Sequence, residues 1–163
     1  MTHVFVCYVF HFLRLGNVNI HTPFNLHMAY KLIEIKGIGP AYATTLNEKL
    51  GISTVEELLE LAASKKGRAD VAAQTGIAES LILKWANMAD LFRIKGIAED
   101  FSHLLELCGV DTVKELRTRN AANLHAKLTE VNSAEGHAGR TPGLAEVEGW
   151  IAQAGEMEPT MTY

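Results

Sequence analysis

The residues best suited to chemistry are Lys36, Gly37, Ile38, Gly39 and Ala41, inside the run Ile35-Lys36-Gly37-Ile38-Gly39-Pro40-Ala41-Tyr42-Ala43-Thr44-Thr45-Leu46. Gly37 and Gly39 permit a tight turn whose main chain a partner can approach closely. Pro40 fits the first turn of a helix, where its missing N–H costs nothing. Successive N–H groups around such a turn, at a helix N-terminus, form a concave donor set that suits an anion, and above all a phosphate. Lys36 adds a positive charge beside the same donors. Ile38 reads as an apolar plug in the angle between two helices. The chemistry implied is electrostatic capture, with no bond made or broken.

Other chemistries find no support in the sequence. Nucleophilic catalysis needs a Ser or Cys with a positioned base, and acid–base work needs paired groups in a cleft. No pattern announcing either is present. Glu56-Glu57 and Glu146/Glu148 lie on stretches with apolar stripes, so they read as solvated helix faces. His103, His125 and His137 share no metal-ligand spacing with an acid or a cysteine. No Gly-Lys-Ser/Thr follows the glycines, so a nucleotide-binding P-loop is absent. The expectation is a non-enzymatic protein with no cofactor, no metal and no small-molecule substrate.

The turn recurs about sixty residues later. Ile94-Lys95-Gly96-Ile97 echoes Ile35-Lys36-Gly37-Ile38, and Phe101 and Leu105 echo Tyr42 and Leu46. Gly109-Val110-Asp111-Thr112-Val113 then aligns with Gly51-Ile52-Ser53-Thr54-Val55, and Val147 and Trp150 with Ile82 and Trp85. The first stretch resembles the hairpin of the helix-hairpin-helix family: apolar, any residue, Gly, apolar, Gly, then a helix with Ala43 and Leu46 at its small and apolar positions. The double unit resembles a bacterial domain family of unknown function built from two such hairpins.

That resemblance implies an all-α fold, with two tandem helix-hairpin-helix units forming one compact helical domain. It also implies sequence-independent binding to the DNA backbone through Lys36, Gly37, Ile38, Gly39 and Ala41. In the family a basic residue often follows the Gly-Pro pair. Here that position is Ala41, so weak binding is implied. In the second hairpin Ala98 replaces Gly39, and Glu99 and Asp100 follow it. Two carboxylates there compete with a phosphate for the donors and repel it, so no backbone binding is expected from this copy. Glycine hairpins also serve only to pack helices, and the alternative reading is a protein-interaction or scaffold module with no nucleic-acid ligand.

The elements that must position the turn are short helices. The pattern predicts helices over 28–35, 40–50, 69–74, 78–92 and 144–154, with others carrying Val55, Leu58, Leu59 and Ala62, then Leu104 and Leu105, then Leu124 and Leu128. Ser53 with Glu56 reads as a capping box, and Asp111 as an N-cap. Lys65-Lys66-Gly67-Arg68 reads as a basic connector, 132–143 as the longest loop, and Trp85 and Trp150 as equivalent buried residues. Cys108 reads as a core residue rather than a reactive thiol. The units are placed at 28–90 and 91–154, with 155–163 a frayed tail.

Composition bounds the rest. The net charge of −4 is unlike a dedicated nucleic-acid binder, although a phosphate contact needs only a local patch. Two cysteines make no disulfide framework, which suits a reducing, cytoplasmic setting. Residues 1–27 contain no Asp or Glu and a β-favouring apolar run, Val4 to Phe10. No positive charge precedes that run and no small-residue cleavage site follows it, as a signal peptide would need. His11, Arg14 and Asn17 break it before a membrane-spanning length. Two readings stay open: a non-native extension with Met28 the natural start, which the shift in composition favours, or a tail that packs on the helices.

Overall fold

Left-handed glycines punctuate this chain, and between them the helix-favouring sequence has room for only short helices. The computed structural model describes residues 29–163, so the expectations for 1–27 lie outside the described residues. A 3-10 turn at Leu32–Glu34 precedes α1 (Pro40–Leu50), α2 (Val55–Ala62), α3 (Lys65–Thr75) and α4 (Glu79–Leu91). Then come α5 (Glu99–Leu107), α6 (Val113–Leu116), α7 (Ala121–Glu135) and α8 (Leu144–Glu156). The described residues are helical, as the sequence implies, and none of their helices is long and apolar enough to cross a membrane.

Two apolar cores lie side by side. The first gathers Leu32, Ile38, Leu46, Leu58, Ile82 and Trp85. The second gathers Ile97, Leu104, Leu105, Leu116, Val147 and Trp150. α4 joins them, because Met88 and Phe92 turn into the first while Leu91 turns into the second. Trp85 and Trp150 are 1% and 3% exposed, as equivalent core residues should be. Cys108 is half-buried against the second core, where desolvation raises its thiol pKa.

Several local expectations are corrected. The helix predicted over 28–35 is not formed at 29–31. There the backbone zips against the entry to α2: Leu32 N–H donates to Ser53 O (3.1 Å), and Val55 N–H donates to Tyr30 O (2.9 Å). Main-chain groups used in that bridge are lost to a helix. The capping box shifts by one residue, to Thr54 and Glu57. Glu57 N–H donates to Thr54 Oγ1 (3.2 Å), and Thr54 N–H donates to Glu57 Oε2 (3.0 Å). Thr112, not Asp111, caps α6: its Oγ1 accepts from Glu115 N–H (3.3 Å), while Glu115 Oε2 accepts from Asp111 N–H (2.8 Å).

The supposed basic connector is the first turn of α3, capped by Ser64, which accepts from Gly67 N–H at 3.0 Å. A Cβ on Gly67 would lie 1.9 Å from Leu61 O, so glycine alone lets α3 start this close to α2. Arg68, 3% exposed, turns inward and donates to Ala62 O, Ala63 O and Thr162 O. The last of these contacts overturns the frayed tail. α8 runs to Glu156, and the segment beyond it returns to the first unit, where Met161 enters the first core and Thr162 N–H donates to Ala63 O (2.9 Å).

Candidate functional site

The same turn occurs twice in the described residues. Ile38 N–H donates to Ile35 O (2.9 Å), with Gly37 at φ +97° between them. Ile97 N–H donates to Ile94 O (3.0 Å), with Gly96 at φ +96°. A positive φ at the third position is the mark of a type II turn, and it favours glycine. Space adds a second constraint: a Cβ on Gly37 would lie 3.3 Å from Trp85 Nε1, and one on Gly96 3.1 Å from Trp150 Nε1. The tryptophan of each unit thus backs its own turn.

Of the five candidate residues, four are at the surface together. Lys36, Gly37, Gly39 and Ala41 are exposed, while Ile38 is buried with its N–H spent inside the turn. Ile38 is therefore the plug, not a contact. Gly39 is the N-cap of α1 and has no side chain with which to cap it. Pro40 brings no N–H, so the first-turn donors left without a helical acceptor are those of Gly39, Ala41 and Tyr42. That first turn contains no acid. Tyr42 is the residue that the motif left out; its N–H completes the donor set and the residue is 39% exposed.

The second turn is flanked by side chains that the first lacks, although the start of α5, like that of α1, has no side-chain cap. Lys95 N–H donates to Gln153 Oε1 (3.0 Å) on α8. The equivalent position on α4, three residues after its tryptophan, is Met88, which is buried and offers no such acceptor. Glu99 and Asp100 occupy the first turn of α5, where their charge complements the helix dipole. The loop 136–143 then covers one side. Asn132 holds it by accepting from Ala138 N–H (2.8 Å) and donating to Ala138 O (3.2 Å). With Gly139 and Arg140, the loop lines a cleft over Gly96, Ala98 and Phe101.

Arg140 is fixed at the mouth of that cleft. Its Nη1 and Nη2 each donate to a carboxylate oxygen of Glu146 at 2.7 Å, and its guanidinium lies 4.9 Å from the Phe101 ring centre. The two hydrogen bonds from Arg140, with a third from Gly143 N–H, hold the Glu146 carboxyl down at about 2. His103 and His137 stack edge to face nearby, each beside a carboxylate: Glu106 at 3.3 Å and Glu135 at 2.8 Å. Among the described residues no group of three or more His, Cys, Asp or Glu side chains is set to hold a metal ion.

No solved structure matches the chain. A family model described as "Domain of unknown function (DUF4332)" matches residues 36–157, a span that opens at the first glycine turn and closes just past α8. The chain belongs to the DUF4332 family.

Proposed function

We propose that this protein is a non-enzymatic, sequence-independent nucleic-acid binder that holds the DNA backbone at its first glycine turn, the hairpin of a helix-hairpin-helix unit. One observation carries the reading: the N–H groups of Gly39, Ala41 and Tyr42 stand at an exposed helix start with no acid in its first turn. Oriented N–H donors and the positive helix end together suit a phosphate oxygen. Lys36 adds one exposed charge. The second turn, with Glu99, Asp100 and a fixed Arg140–Glu146 pair, contributes nothing to binding in this reading.

Few phosphates are engaged, so affinity is poor, on the order of 10⁻⁴ to 10⁻⁶ M, and falls steeply with salt. Base sequence is immaterial, because backbone contacts carry no sequence information. The test is a titration with short DNA at two salt concentrations. Gly39→Glu should abolish binding and leave the fold intact, since Gly39 has φ −81° and nothing lies within 4 Å of a Cβ placed there. Lys36→Ala should weaken binding and flatten its salt dependence. If the intact protein binds no DNA or RNA at about 50 mM salt, the alternative of a protein-docking or scaffold module takes over. The net charge of −4 and the exposed Ile33, beside the hairpin, favour that second reading.

A further inference from the structure

The two units differ in what lies over the aromatic ring that follows each turn. Tyr42 packs on Trp85 with ring centres 5.0 Å apart and planes at 62°. Phe101 packs on Trp150 at 5.2 Å and 53°. Equivalent rings are therefore set at closely similar angles on equivalent tryptophans. In the second unit the Phe101 ring carries the guanidinium of Arg140, delivered by the loop 136–143. In the first unit only the short stretch 76–78 joins α3 to α4, and Tyr42 stays 39% exposed. In the second copy, then, this ring position is covered by a flat, delocalised group.

Charge decides which flat group the first copy takes. Phe101 follows Glu99 and Asp100 in the first turn of α5, and Glu146 grips the arginine above it, so a guanidinium belongs there. The first turn of α1 has no acid, its end of the helix is positive, and exposed Lys36 precedes it. A second cation is disfavoured at such a place. An uncharged planar ring carried on an anion is favoured.

We propose that Tyr42 is a stacking platform for one base of a single-stranded nucleic acid, with a neighbouring phosphate held at the N–H groups of Gly39, Ala41 and Tyr42. This rests on the backbone-binding reading above and narrows it, because bases paired and stacked within a duplex have no free face to offer. Stacking is also indifferent to base identity, so it is compatible with sequence-independent binding.

The experiment is fluorescence anisotropy at low salt with three labelled probes of equal length: an oligothymidylate, an abasic phosphodiester strand and a duplex. The wild-type chain should bind the oligothymidylate more tightly than either of the others. Tyr42→Leu, which keeps an apolar side chain on Trp85, should weaken oligothymidylate binding about tenfold, the effect of losing one stacked base. Its binding to the abasic strand should not change, and Tyr42→Phe should bind as wild type does. Equal wild-type affinity for the oligothymidylate and the abasic strand overturns the proposal without recourse to any variant. A folded Tyr42→Leu that binds oligothymidylate normally also overturns it; if Gly39→Glu still abolishes binding, the backbone reading survives. Binding to none of the three probes overturns both.

Discussion

Glu146 shows how single residues separate the two glycine turns. Its carboxylate accepts both Arg140 hydrogen bonds at 2.7 Å and one from Gly143 N–H at 2.8 Å, which ties the loop 136–143 to the start of α8. The folded-state value of about 2 lies below the ordinary 4.5, so the interaction contributes fully above about pH 4.5 and is lost as the pH falls through about 2. The pair is well exposed, so solvent screening keeps its contribution to global stability small. Acidification across that window should therefore loosen the loop before the domain unfolds, and Glu146→Gln should loosen it at neutral pH. The Arg140 and Phe101 NMR resonances report this directly; an unchanged Arg140 environment in Glu146→Gln would contradict it. Glu146 read from the sequence as one acid on a solvated face, because its partner lies six residues away across a loop whose path no periodicity encodes. The turn itself was legible, since the positive φ of Gly37 and the uncapped helix start at Gly39 each leave a mark in residue type.

At the scale of elements, the repeat is kept by different means in each copy. The N–H of Val55, at the start of α2, is accepted by Tyr30 O, a main-chain group in an extended segment. The equivalent N–H of Val113, at the start of α6, is accepted by Asp90 Oδ2 (2.9 Å), because the preceding segment is the end of α4. Asp90 is 1% exposed, and its other oxygen accepts from Arg93 at 2.7 Å. Asp90→Ala should cost about 2–3 kcal/mol, the scale of losing buried hydrogen bonds to a charged group. Urea unfolding measures that cost, and a near-neutral result would show that α6 does not need this cap. Apolar spacing made the helices and the paired tryptophans legible. The first segment was misread because Tyr30 to Leu32 form backbone hydrogen bonds with residues more than twenty positions away. Long-range pairing of that kind overrides local helix propensity. The capping box was displaced by one residue because Ser53 and Thr54 are both sound caps, and only the burial of Val55 and Leu58 decides between them.

For the whole molecule, α4 and the C-terminal segment bind two cores into one body. Arg93 Nη2 donates to Glu158 O (3.1 Å), Met161 fills the first core, and buried Arg68 donates to Thr162 O (2.8 Å). Met161→Ala should therefore lower the unfolding free energy by about 2–3 kcal/mol, as a buried methionine would and a frayed one would not. Urea denaturation distinguishes these outcomes. The return of this segment was not legible, because an isolated Met among Pro, Thr and Tyr shows no period, and its partner Arg68 read as part of a basic connector. The same body leaves the first turn without acids and sets Glu99, Asp100 and the loop 136–143 at the second, and that asymmetry is the basis of the functional reading. The most direct test follows backbone amide resonances of the intact protein while a short single-stranded oligonucleotide is added at low salt. The account predicts saturable shifts at Gly39, Ala41 and Tyr42, with Gly96 to Phe101 unmoved. Shifts centred on the second hairpin, or none at the first, would contradict it.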